Sequence, residues 1–106
     1  MSFSHELYDD DVESSKANIQ ALFNEYFAPL IEKGHLKIYL KSSKPVETDF
    51  LPIGSKSNIF NILNQDGKRI AVAHIYVDAQ GNHIGKLDPK ALIFDRTLYT
   101  FYGESG

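Results

Sequence analysis

Apolar runs separated by turn residues dominate the middle of the chain, and they predict a β-meander over residues 58–87. Asp66-Gly67 separates two runs rich in β-branched residues, and this dipeptide favours a two-residue hairpin turn with positive φ at both positions. The register that follows pairs Leu63 with Ile70, Ile62 with Ala71, Phe60 with Ala73 and Ile59 with His74. A second turn at residues 79–82 sets Asp78 opposite His83 and Val77 opposite Ile84.

This register sorts the side chains onto two faces of the predicted sheet, because successive side chains of a strand point to opposite sides. One face carries Phe60, Ile62, Ala71, Ala73, Ile75, Val77 and Ile84. The other, the second face, carries Ile59, Asn61, Leu63, Ile70, Val72, His74, Tyr76, Asp78, His83 and Leu87. Both sets are largely apolar, so both faces need cover: a helix on one, and a curled sheet, a loop or a second subunit on the other.

The helix is predicted near the N-terminus. Asp10 with Glu13 fits a capping box, and an apolar stripe follows at helical spacing. Its members are Val12, Ile19, Leu22, Phe23, Tyr26, Phe27, Leu30 and Ile31. Pro29 predicts a kink or break, and Gly34 predicts the C-terminal stop. The bulky stripe fits the sheet face that carries the small residues Ala71 and Ala73.

Outside these elements, residues 35–41 alternate as a half-buried edge strand, with Leu36, Ile38 and Leu40 inward and Lys37, Tyr39 and Lys41 outward. Residues 42–57 predict a long loop whose middle is pinned to the core by Phe50, Leu51 and Ile53. Asp88-Pro89 predicts a turn, followed by a last hairpin around Asp95-Arg96. The whole is an α+β fold: one long N-terminal helix packed on one face of a five- or six-stranded, mainly antiparallel meander sheet. It forms a single domain over residues 1–106, with a loose arm at 1–8, in which Phe3, Leu7 and Tyr8 can dock, and a tail at 103–106.

Composition narrows the function classes. The net charge is −3, with 11 Lys and Arg against 14 Asp and Glu, and basic residues do not cluster, which disfavours nucleic acid as a partner. The absence of cysteine removes thiolate and disulfide chemistry and suits the reducing cytoplasm, where we expect the protein. We expect no membrane span, since no apolar run is long enough.

One polar cluster suggests chemistry: His74, Tyr76, Asp78 and His83 on the second face, with Asn61 nearby. Asp78 opposite His83 would raise the pKa of that imidazole. His74 and Asp78 are about 13 Å apart along the strand, too far to share a metal ion. No phosphate loop, zinc motif, EF-hand or nucleophile elbow occurs. A structural role for these polar residues is therefore favoured over catalysis, and no cofactor or metal is predicted.

The favoured hypothesis is a small, soluble, non-enzymatic protein-interaction module of the adaptor, inhibitor or immunity type. It would use the second face for self-association, with a homodimer the commonest outcome, or to bind another protein. The alternative is a small hydrolase or ligand-binding fold with a pocket at His74 and Tyr76. Both hypotheses use the same candidate residues: Ile59, Asn61, Leu63, Ile70, Val72, His74, Tyr76, Asp78 and His83.

Overall fold

A computed structural model describes residues 3–101, so Tyr102 and the predicted tail at 103–106 lie outside the described residues. The described chain contains one sheet and one helix of 17 residues. The strands are β1 (Asp10–Ser14), β2 (Lys37–Pro45), β3 (Lys56–Leu63), β4 (Arg69–Val77), β5 (His83–Phe94) and β6 (Thr97–Phe101). The helix, α1, runs over residues 16–32, and a 3-10 turn at His5–Leu7 precedes β1.

The strands form one six-stranded sheet in the order β1-β6-β5-β4-β3-β2. Every neighbouring pair is antiparallel except β1 with β6, which is parallel. The predicted α+β class and mainly antiparallel sheet are confirmed. The N-terminal position of the helix was wrong, because β1 precedes it. The sheet as a whole is also not a simple meander, since β1 leaves the sequence order to join β6.

The helix starts later than its acidic approach suggested. Its N-cap is Ser15, whose hydroxyl accepts a hydrogen bond from the Asn18 amide at 3.1 Å. The predicted capping box of Asp10 and Glu13 lies instead in β1, along with Val12, which was assigned to the helical stripe. Pairing with a strand from the far end of the sequence overrides the local helical signal there.

At Pro29, where a kink or a break was predicted, the helix continues without a break. The chain widens into a π turn at Phe23–Phe27 and continues through Ala28–Glu32, with the Ala28 amide donating to the Phe23 carbonyl. A wider turn just before proline relieves the clash of its ring with the carbonyl four residues earlier. The predicted stop at Gly34 is confirmed: its φ is +76° and its amide donates to the Ile31 carbonyl.

The helix packs on the sheet face that contains the small residues of β4, as predicted. Ile19, Phe23 and Phe27 form one buried cluster with Ala71 and Ala73. We call this side of the sheet the helix face. No helix in residues 3–101 is long and apolar enough to cross a membrane.

The central register of β3 and β4 is as predicted, because two local departures from the prediction compensate for each other. Asn64 bonds to Lys68 around a three-residue loop, where a two-residue loop was expected. Ile70 then forms a bulge, and this extra residue restores the pairs Ile62–Ala71, Phe60–Ala73 and Ile59–His74. The bulge also turns Ile70 toward the helix-face core, so its assignment to the second face was wrong.

The pairing of β4 with β5 departs further from prediction. Val77 lies opposite His83 and Tyr76 opposite Ile84, one residue out of the expected register. Further register shifts let β5 run unbroken through the predicted turn at Asp88-Pro89 and turn Leu87 toward the helix-face core. Consequently the expected pair of Asp78 and His83 does not form.

The loop between β2 and β3 covers residues 46–55 and contradicts the predicted anchoring. Phe50 is 93% exposed and Ile53 is 100% exposed, although both were expected to pin the loop to the core. The buried hydroxyl of Ser55 holds the loop instead, donating to the Pro52 carbonyl at 2.6 Å. Gly54, with φ of +89°, passes against Ala79, whose Cβ would lie 2.9 Å from any added Cβ.

Candidate functional site

The second face is partly covered by the chain's own N-terminal arm. Phe3 is 7% exposed and packs with Ile93 and Leu98. The guanidinium carbon of Arg69 lies 4.2 Å from the centroid of the Phe3 ring, a cation–π contact. Leu7, Tyr8 and Val72 complete this cluster over β4, β5 and β6. The arm therefore provides part of the cover for which a curled sheet, a loop or a second subunit was expected, and Phe3, Leu7 and Tyr8 dock as the sequence suggested.

Two ion pairs hold the arm on the sheet. Arg96 donates to both carboxylate oxygens of Asp9, from Nε at 2.7 Å and from Nη2 at 3.0 Å. The hydrogen bond from Arg96 lowers the pKa of the Asp9 carboxyl, and Asp9 raises the pKa of Arg96. Lys68 pairs with Glu6 and lowers the pKa of that carboxyl in the same way. All these groups are exposed, so the pairs fix the position of the arm more than they stabilise the fold.

The remainder of the second face, over β2, β3 and β4, has no such cover in the described chain. Ile59, Asn61 and His74 are half-buried there, and Tyr76 is 38% exposed. Tyr39, opposite Asn61 on β2, is 51% exposed. We call this surface the open patch.

A short polar contact lies beside the open patch. Ser57 Oγ lies 2.7 Å from His74 Nε2, and the ring of Tyr76 meets that of His74 edge-on at 4.5 Å between centroids. Along β3, Ser57 is the neighbour of Ile59 on the same face of the sheet. It pairs with Tyr76 across the strands. A hydroxyl bonded to an imidazole is the first half of a nucleophile–base arrangement.

Asp88 lies opposite His74 on β5 but does not complete a catalytic triad. Its Oδ2 is bound by Lys90 at 3.0 Å and by Lys16 at 3.3 Å, and its Oδ1 accepts no hydrogen bond from the described residues. Burial lowers the pKa of His74, and the charge of Lys90 lowers it further. The charge of Asp88 raises this pKa to a smaller extent. The imidazole is consequently neutral at neutral pH, but no carboxylate orients it.

The structure brings together only part of the predicted site. Ile59, Asn61, His74 and Tyr76 share the open patch, with Leu63 farther along the same strand. Val72 lies under the arm, and Ile70 packs toward the helix face. Asp78 closes the turn before β5, where its Oδ1 accepts the amides of Gln80 and Asn82, and these bonds lower its pKa. His83 is exposed at the start of β5.

Sequence reasoning missed Tyr39, Ser57 and Asp88. Ser57 was placed in the loop, although extending the correct Ile59–His74 register by two residues would have set it beside His74. Tyr39 was predicted to point outward from an edge strand, and it was not assigned to the candidate surface. Asp88 was missed because the proline that follows it suggested a turn.

The edge strand β2 adds a further uncovered apolar surface. Ile38 is 38% exposed and Leu40 is 56% exposed, both on the helix face. They were predicted to point inward, but the helix packs over β4, β5 and β6 and leaves this part of β2 in solvent. With Phe50 and Ile53 in the adjoining loop, the uncovered apolar side chains concentrate around the β2–β3 hairpin.

The described residues contain no group of three or more His, Asp or Glu placed to hold a metal ion. A pocket of 590 Å³ lies within the hairpin loop, lined by residues 45–49 and 51–56, and His74 does not contribute to it. Comparisons with protein-family models, with curated proteins and with solved structures found no significant match.

Proposed function

We propose that this protein is a small non-enzymatic interaction module whose docking surface is the β2–β3 hairpin with the adjoining open patch. The observation that carries the proposal is the exposure of Tyr39 and Leu40 on opposite sides of the same free edge strand. Large apolar side chains grouped on one surface are typical of contact sites. Tyrosine suits such surfaces because its ring packs while its hydroxyl stays hydrated.

This docking surface differs from the one that the sequence suggested. The centre of the second face was expected to be the contact, but the arm covers Val72 and the bulge removes Ile70 from it. The uncovered apolar surface lies toward β2, where unpaired backbone groups add to the side chains. A free edge accepts an extended partner strand through main-chain hydrogen bonds, while neighbouring side chains supply specificity.

A photo-cross-linker tests this surface directly. Benzoylphenylalanine replaces Tyr39 in one variant and Ala21, an exposed residue of the helix, in a matched control. We expect irradiation to give a discrete cross-linked product from position 39 only, both for the concentrated purified chain and in cells expressing it. Leu40→Glu introduced into the labelled chain should abolish the product.

Two results would contradict the proposal. Equal yields at positions 39 and 21 would show that the hairpin has no preference for a partner. A product that survives Leu40→Glu would show that capture does not depend on the docking surface. Circular dichroism of the Leu40→Glu chain confirms that the fold is retained.

A second candidate function rests on the contact between Ser57 and His74. A neutral imidazole 2.7 Å from a hydroxyl can act as a general base, so a small hydrolase remains the alternative. Against it, Asp88 bonds to lysines rather than to His74, and the pocket lies elsewhere. A fluorophosphonate probe decides: labelling of Ser57 that disappears in His74→Ala would establish the hydrolase, and no labelling would remove it.

A further inference from the structure

The two free edges of the sheet carry opposite charges. Strand β1 lies at one edge and β2 at the other. Residues 6–13 contain five acidic residues and no lysine or arginine, whereas residues 33–45 contain four lysines and no acid. The charged side chains of both edge strands are exposed: Asp10, Asp11 and Glu13 on β1, and Lys37, Lys41 and Lys44 on β2. The net charge of −3 does not reveal this separation, because opposite charges cancel in the sum.

The complementarity extends to the individual faces of the sheet. Asp11 pairs with Leu98, whose side chain packs under the arm, so Asp11 and Glu13 lie on the second face. Lys37 and Lys44 lie on that same face of β2. On the helix face, Val12 of β1 is 42% exposed, as the side chains of Ile38 and Leu40 are on β2. Both edges thus present charge on the second face and apolar side chains on the helix face, where β1 also carries Asp10.

The directions of the strands also match. Strand β1 runs parallel to β6, and four antiparallel steps lead from β6 to β2. An even number of reversals leaves β2 parallel to β1. A second copy in the same orientation, displaced sideways, can therefore continue the sheet through a parallel pair of β2 and β1. Setting Val12 of one copy opposite Ile38 of the next places Asp11 opposite Lys37.

We propose that the acidic β1 edge of one copy pairs with the basic β2 edge of the next copy, joining successive sheets head to tail. The inference rests on the proposed function and names the partner of that docking surface as a second copy of this chain. The contact is heterologous, so the assembly grows as an open chain or closes as a ring. Pairing of like edges is opposed, because it sets lysine against lysine or carboxylate against carboxylate.

The opposing interpretation is that these charges protect the edges from association, as lysines on edge strands commonly do. A charge exchange separates the two interpretations. One variant makes the β1 edge basic, and the other makes the β2 edge acidic. They are Asp10→Lys/Asp11→Lys/Glu13→Lys and Lys37→Glu/Lys41→Glu/Lys44→Glu. Glu25→Lys/Lys86→Glu, at exposed positions away from both edges, is the control.

Sedimentation velocity measures the outcome. We expect the wild type and the control to exceed the monomer mass of 12.0 kDa as concentration rises. Each edge variant alone should remain monomeric, because both of its edges carry one sign. An equimolar mixture of the edge variants should associate again, since each supplies the charge that the other needs. Association should weaken from about 0.1 M to about 1 M salt, as the Debye length falls from about 10 Å to about 3 Å.

A wild type that stays monomeric throughout, or a mixture of folded edge variants that does not associate, would overturn the inference. So would edge variants that associate as strongly as the wild type. Circular dichroism first establishes that both edge variants are folded. Failure here is distinguishable from failure of the proposed function. If cross-linking at Tyr39 captures a different protein and Leu40→Glu abolishes that capture, the docking surface stands and only the identity of its occupant changes.

Discussion

The N-terminal arm gives a sharp test of how the second face is covered. In Phe3→Ala the ring that packs on Ile93 and Leu98 is lost, together with its contact with Arg69. Burying a phenylalanine contributes about 1.5–3 kcal/mol, and a cation–π contact adds about 0.5–1 kcal/mol. Because the arm packs from outside the sheet, water can fill the space left, and little cavity energy is added. We therefore expect the free energy of unfolding to fall by about 2–4 kcal/mol.

The assay is urea unfolding followed by far-ultraviolet circular dichroism, with linear extrapolation to water. The matched control is Phe50→Ala, which removes the same ring from a position that is 93% exposed. The control should change the free energy of unfolding by less than about 0.5 kcal/mol. If Phe3→Ala costs no more than Phe50→Ala, the arm does not cover the second face and the account of that face is wrong.

Three further predictions concern the core, the open patch and the arm. Ala73→Leu should lower the free energy of unfolding by about 1–3 kcal/mol, because Ala73 is fully buried under the helix; an unchanged urea midpoint would contradict this. Since burial lowers the pKa of His74, wild-type stability should fall as pH drops below the ordinary value of 6.5. His74→Gln should flatten that part of the pH profile, and an identical slope would exclude the cause. Arg96 lowers the pKa of Asp9, so the arm should detach only as pH falls through that lowered pKa, below the ordinary 3.8. Amide exchange of residues 3–9 measures the detachment, and Asp9→Asn should already increase their exchange at neutral pH.

Local patterns predicted those parts of the fold in which a single register or stripe decides the packing. The bulky aromatic stripe of the helix and the small side chains of Ala71 and Ala73 are complementary in size, and this alone predicts that they pack together. The centre of the first hairpin was correct although its turn was not, because the bulge at Ile70 compensated for the longer loop. A hydrophobic pattern fixes which residues must share a face, and bulges adjust the turns to satisfy it.

The remaining features depend on contacts between distant parts of the chain. Strand β1 is made by pairing with β6, and nothing near Val12 in the sequence reveals that partner. The exposure of Ile38 reflects how far the helix reaches across the sheet, which its length does not show. The contact between Ser57 and His74 required knowing where β3 begins, and strand boundaries are set by tertiary contacts as much as by propensity.

Hydrogen–deuterium exchange at low and high protein concentration tests the central claim, that the uncovered hairpin side is a docking surface for another copy. The account predicts slower exchange at high concentration in two segments, residues 37–45 of β2 and residues 10–14 of β1. The interior strand β4 should exchange equally under both conditions. Exchange in β2 that is as fast in concentrated as in dilute solution, or protection confined to the arm, would contradict the account.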